Sequence, residues 1–209
     1  MYLSCLKLNN YSNRAMTEIE RPYELHRTIM QGFPDKEAGG PGRVLFRLDI
    51  DNQGKRITVL VQSEKEPDWR YLDGSNLLKE SAEYKVLNIL FKKGQVWYFR
   101  LRANPTVKKK DNKRLGIIGE DKQRAWLKRK GEAGGFELGP VVAIPENITR
   151  DSMTDVNKQR HKISLLSVRF EGILKITNPD IFKETLKDGV GSAKGLGFGL
   201  LSIAPVQKE

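Results

Sequence analysis

Cysteine occurs once in this sequence, at Cys5, and histidine only twice. A single cysteine forms no internal disulfide and no thiolate cluster. A histidine with no Cys, Asp or Glu cluster beside it does not assemble a zinc or two-metal site, so no metal and no cofactor are expected. Long apolar runs are missing too. None reaches the roughly 18 residues a membrane span needs. The first residues, MYLSCLKLNN, carry no signal-peptide cleavage pattern. No basic amphipathic helix with a large apolar face suggests a membrane surface. A cytoplasmic protein with no membrane partner is the simplest reading. Acidic residues are also scarce: 26 Asp and Glu stand against 37 Lys and Arg, a net charge of +11.

That excess is unevenly placed. Residues 1–94 carry 15 basic and 13 acidic side chains, whereas residues 95–209 carry 22 and 13. A basic excess confined to one half is the footprint expected for binding a polyanion, although a charge kept for solubility has the same sign. The chain has 209 residues, 38% hydrophobic and 30% charged, which suits one large globular domain or two small ones rather than a disordered chain.

Periodicity and punctuation favour two domains. YLSCLKL alternates as a strand. A helix follows around His26, with Pro22 in its first turn and Gly32 and Pro34 ending it. Residues 43–50 and 56–63 read as strands joined by the turn DNQGK. Residues 68–78 read as a short, weak helix and 83–93 as a fourth strand. The second half repeats the order. Residues 95–105 are a strand, 120–135 a helix, and 136–146 an extended stretch interrupted by Pro140. Residues 161–177 are a long strand with an irregularity at Gly172. Residues 178–190 are a helix capped by Asn178 with Pro179 at its first position, and 198–205 are the last strand. Two successive βαββαβ units predict an α+β protein of two tandem ferredoxin-like (RRM-like) domains, 1–94 and 95–209. Two basic loops stand out in the second: KKKDNKR at 108–114, and 150–162, which looks mobile. The paired aromatics with which such sheets often stack RNA bases have no full match, so the fold alone decides no function.

Two features carry candidate chemistry. At about 100° per residue on a helix, Leu25, Ile29 and Phe33 form the core stripe. His26 falls at its edge, and Tyr23 and Arg27 continue a polar patch. An imidazole, a phenol and a cation suit metal-free RNA cleavage, in which a ribose 2′-OH attacks the adjacent phosphate. A Tyr-x-x-His pair also serves as a cap or a hydrogen-bonded surface pair, so the patch alone is weak. The second feature is GVGSAKGLGFG, residues 189–199. It is neither a Walker A loop nor a dinucleotide fingerprint, because a helix leads in and a strand leads out. Five glycines and Lys194 let backbone approach a ligand and point N–H groups at phosphate oxygens. A plain helix-to-strand turn needs only one or two glycines.

Together with these, FRLRANP at 99–105, AWL at 125–127, FEG at 170–172 and GVGSAKGLGFGLLSIAP at the end resemble the CasE family, the CRISPR repeat-processing endoribonucleases of type I-E systems. The resemblance spans the chain. It implies tandem ferredoxin-like domains and metal-independent cutting of precursor CRISPR RNA at the base of a repeat hairpin, leaving a 5′-hydroxyl and a 2′,3′-cyclic phosphate. It also implies retention of the mature crRNA and assembly with the other subunits of Cascade. By resemblance, His26 is the general acid/base, Tyr23 its helper, and Gly191, Lys194, Gly195, Gly197 and Gly199 the loop beside the RNA. Lys158, Arg160 and Lys162 enter the hairpin's groove. Arg27, Arg102, Lys108, Lys109, Lys110, Lys113, Arg114 and Arg129 are the remaining expected RNA contacts. Some relatives place a lysine late in the first helix or just after it, where this chain has Gln31 and Gly32. A second cation would then fall to Lys36, Arg27 or Lys194. An inactive RNA-hairpin-binding scaffold of the same fold is the alternative.

Overall fold

The computed structural model describes the chain except residues 36, 52, 109–113, 147, 155–159 and 207–209, and gives the backbone alone at 152–154 and 160–162. It divides into two compact units. The first is Met1–Asn88 with Arg150–Ile163 and Gly195–Gly197. The second is Ile89–Thr149, Ser164–Lys194 and Phe198–Glu209.

The first unit holds β1 (Tyr2–Lys7), α1 (Asn13–Glu20), α2 (Pro22–Met30), β2 (Val44–Ile50), β3 (Ile57–Ser63) and β4 (Glu83–Val86). Its antiparallel sheet runs β2-β3-β1-β4, the strand order of a ferredoxin-like domain. Alternation along the strands sends Leu6, Phe46, Val59 and Val61 to one face, where Leu25 and Ile29 of α2 close the core. Trp69 joins that core and donates its indole N–H to buried Ser4 Oγ at 3.0 Å.

Three expectations change here. The single helix around His26 is preceded by a second, α1, whose N-cap Ser12 accepts from the Ala15 N–H. Pro22 separates the two, because a proline disfavours helical backbone at the residue before it, and Arg21 sits at φ −121°, ψ 81°. The weak helix over 68–78 is only a 3₁₀ turn at Arg70–Leu72. Gly74 at φ +74° and Asn76 at φ +54° forbid its continuation. The strand over 83–93 stops at Val86, opposite Tyr2. One further bond, from the Leu87 N–H to the Met1 carbonyl, ends the pairing with β1.

The second unit holds β5 (Val96–Ala103), β6 (Thr106–Lys108), β7 (Arg114–Gly116), α3 (Glu120–Ala133) and β8 (Phe136–Pro145), then β11 (Val168–Ile176), α4 (Pro179–Asp188) and β12 (Leu201–Pro205). Its antiparallel sheet runs β12-β5-β11-β8, the same ferredoxin-like order. Phe99, Leu101, Phe170 and Leu174 of the sheet pack with Trp126 and Leu127 of α3 and Phe182 of α4. The irregularities expected at Pro140 and Gly172 prove to be one feature. The register between β8 and β11 shifts at Gly172, where an added Cβ would meet the Pro140 carbonyl at 2.2 Å. Pro140 has no N–H for the ladder, and a glycine opposite lets the strands close round the gap.

The basic loops are also corrected. The two ends of KKKDNKR, Lys108 on β6 and Arg114 on β7, pair with each other. Residues 150–162 fall largely in β9 (Thr149–Thr154) and β10 (Arg160–Leu165), which form a two-stranded sheet of their own. The long strand over 161–177 is therefore β10 and β11, broken at Leu166 and Ser167. Ser167 is buried and turned to Glu146, donating to its Oε2 at 2.6 Å.

Candidate active site

Helix α2 presents its apolar face as the periodicity requires: Leu25, Ile29 and Phe33 are buried. His26, one position on from Leu25, is half-buried at the margin of that face. The Phe46 ring from β2 lies nearly parallel to the imidazole, with centroids 6.2 Å apart and planes at 19°. Gly195, from the glycine-rich segment, belongs to this same unit. A Cβ added to it would stand 3.6, 3.8 and 3.9 Å from His26 Cε1, Nε2 and Nδ1. Nearly equal distances put that position over the face of the ring rather than at its edge. The imidazole thus lies beside a phenyl ring and under a glycine that leaves room for a methyl group over the ring. Burial disfavours its charged form and lowers its pKa below the ordinary 6.5.

The glycines divide by role. Gly189, Gly191, Gly197 and Gly199 have positive φ, from +77° to +90°. At three of these the chain itself fills the space a Cβ would need. Gly191 faces Trp126 at 3.2 Å, Gly197 faces Phe46 at 3.1 Å and Gly199 faces the Val190 carbonyl at 2.9 Å. Gly195 has none of these constraints. It is the exposed glycine of the five and the one over His26.

Tyr23 is half-buried, one turn before His26. Its backbone N–H donates to Asp151 Oδ2 of β9 at 2.7 Å. Arg27, exposed, pairs with Glu24 at 3.1 Å. Arg102 has partners within the chain. Its Nε donates to Glu146 Oε2 at 2.7 Å and Ser167 Oγ at 2.9 Å, and the guanidinium lies 4.9 Å from the Phe198 ring centroid. Lys108, Arg114 and Arg129 are exposed, and Lys194 opens a 3₁₀ turn, Lys194–Leu196. Arg160 and Lys162 lie on β10. Lys36, Lys109, Lys110, Lys113 and Lys158 lie outside the described residues. Sequence reasoning missed Phe46, Asp151 and Tyr71, whose hydroxyl donates to the Thr28 carbonyl of α2 at 2.5 Å. All three reach α2 from other elements, so no local pattern marks them. Among the described residues no group of three His, Cys, Asp or Glu side chains stands close enough to hold a metal ion.

The family model described as CRISPR associated protein matches residues 1–205. The chain belongs to this family. It is 35% identical to the CRISPR-associated endoribonuclease Cse3 of Thermus thermophilus, over 98% of this chain and 100% of that protein. It is 30% identical to the CRISPR system Cascade subunit CasE of Escherichia coli, over 88% of this chain and 92% of the other. A structure of Cse3 bound to 19 nt RNA superposes with a TM-score of 0.84 at 34% identity, covering 98% of this chain and all of that one. Within this family's fold, the His26 imidazole is partly buried beside the Phe46 ring and under Gly195, and burial favours its neutral form.

Proposed function

We propose that this chain is a metal-independent endoribonuclease. It cuts precursor CRISPR RNA at the base of the repeat hairpin, keeps the product crRNA, and works in the cytoplasm as a subunit of Cascade. The observation that carries the reading is the placement of Gly195 beside His26, which joins the two features the sequence offered as chemistry. Likeness over nearly the whole chain to an endoribonuclease and to a Cascade subunit supports it.

In this reaction the ribose 2′-oxygen bonds to phosphorus and the bond from phosphorus to the 5′-oxygen breaks. The 2′-hydroxyl loses a proton and the departing 5′-oxygen gains one, leaving a 2′,3′-cyclic phosphate and a 5′-hydroxyl. His26 is the general acid/base and Tyr23 assists the proton transfer. The cation that meets the charge built on phosphorus comes from Lys36, Arg27 or Lys194. The domain of residues 1–94 supplies the catalytic helix. Residues 95–209 supply most of the RNA contacts, among them Lys158, Arg160 and Lys162.

The test is incubation with a hairpin repeat RNA in EDTA, followed by end-group analysis. A 5′-hydroxyl and a cyclic phosphate are expected. Activity abolished by EDTA and restored by magnesium, with the RNA shown to stay folded, would count against it, as would tight binding with no cleavage.

A further inference from the structure

We propose that Asp151 is a positioning residue for the catalytic helix, and that through it the β9–β10 hairpin sets where Tyr23 and His26 stand. This rests on the endoribonuclease reading above. The start of α2 lacks the usual means of satisfying its backbone. Arg21 at the N-cap gives no side-chain cap and Pro22 has no N–H. The Glu24 and Leu25 amides both reach the Arg21 carbonyl, at 2.9 and 3.2 Å. That leaves the Tyr23 amide, and the acceptor it finds is Asp151 Oδ2 at 2.7 Å. Asp151 is 128 positions away in sequence, on the strand paired with the one that carries Arg160 and Lys162.

The choice of residue is informative. A carboxylate on a hairpin assigned to RNA repels phosphate. The same carboxylate at a helix N-terminus meets the positive end of the helix dipole and takes a charge-assisted hydrogen bond. Asp151 therefore suits the helix and not the RNA. Any displacement of β9 as the hairpin engages RNA is passed to the first turn of α2, and His26 is one turn further along. Asp151 touches none of the reacting atoms and acts through Tyr23.

The experiment compares the full-length wild type with Asp151→Ala and Asp151→Asn in three measurements. These are the single-turnover cleavage rate on a hairpin repeat RNA, affinity for the same RNA carrying 2′-deoxyribose at the cut, and hydrogen exchange of the Tyr23 amide. Asp151→Ala should slow cleavage on the order of tenfold to a hundredfold, the size of effect a small misplacement of catalytic groups produces. Its RNA affinity should stay equal or rise, and its Tyr23 amide should exchange faster. Asp151→Asn keeps an acceptor oxygen and should recover most of the rate and the protection. Wild-type cleavage by Asp151→Ala would overturn the proposal, as would equal rate losses in both variants with Tyr23 protection unchanged. A wild type that cuts no RNA sinks the endoribonuclease reading and the catalytic half of this proposal with it. The Tyr23 exchange decides the capping contact independently.

Discussion

The neutral state of His26 is set by what surrounds the ring. In the unfolded chain the imidazole titrates near 6.5, and in the folded one burial lowers that value. Between the two values the unfolded chain binds more protons, so stability falls as pH drops through about 6.5 and levels off below the folded pKa. Thermal unfolding of the wild type from pH 7.5 to 5.5 should show that loss, and His26→Ala should show less of it. The same variant tests the chemistry. General acid–base catalysis contributes about 10²–10⁴ in rate, so His26→Ala should slow cleavage by that order while repeat affinity stays within a few-fold. A substrate with 2′-deoxyribose just upstream of the cut should bind and remain intact. Cleavage by the variant at near wild-type rate would make His26 structural, and cutting of the deoxy substrate would remove the 2′-OH as nucleophile. Gly195, over this ring, and Gly197, against the neighbouring Phe46, should respond differently. A methyl at Gly195 makes only ordinary contact with the imidazole, so Gly195→Ala should fold with nearly unchanged stability. Gly197 combines φ +82° with a 3.1 Å approach to Phe46, so Gly197→Ala should lose about 1–3 kcal/mol in denaturant titration.

At the scale of elements, α2 is held at both ends by residues that the helix pattern does not contain. Asp151 meets its first amide and Tyr71 its Thr28 carbonyl. The chain leaves the helix at Gly32, packed so closely on buried Trp69 that an added Cβ would stand 2.7 Å from the indole ring. Gly32→Ala should therefore destabilise the first unit by about 1–3 kcal/mol, as overpacking does, and a denaturant midpoint unchanged from wild type would show that Trp69 moves aside. This contact also means that the lysine some relatives carry in this region has no room at position 32, whereas Gln31 is exposed. Elsewhere the sequence marked elements well where signals were local. Asn178 and Pro179 start α4, and the Asn178 carboxamide accepts from the Ile181 amide at 3.2 Å. It marked them poorly where pairing decided. An apolar run at 83–93 reads as a strand, but only Glu83–Val86 finds β1 beside it.

For the whole molecule the governing quantity is charge. A net charge of +11, concentrated after residue 94, favours association with RNA through counterion release. Hairpin affinity should fall with salt, and changing Lys158, Arg160 and Lys162 together to Glu should weaken binding. It should also flatten the log–log salt slope by roughly two units, at about 0.7–0.9 per phosphate contact. An unchanged slope would show that these three side chains stand away from the RNA. Arg102 is turned inward to Glu146, Ser167 and Phe198, so Arg102→Ala should lower thermal stability more than it alters the salt slope.

Sequence by itself determined what depends on neighbours along the chain. The stripe of Leu25, Ile29 and Phe33, the edge position of His26, the stops at Gly32 and Pro34, and the βαββαβ core order of the second unit all follow from periods of 2 and 3.6 residues and from glycine and proline stereochemistry. Tertiary structure decided what depends on distant segments meeting. Gly195 over the imidazole, Phe46 beside it, Asp151 on the Tyr23 amide and the return of residues 150–163 and 195–197 to the first unit are contacts between strands, loops and a helix far apart in the chain. Local propensity carries no information about such contacts, because their energy exists only once strand pairing has set the register that brings the segments together.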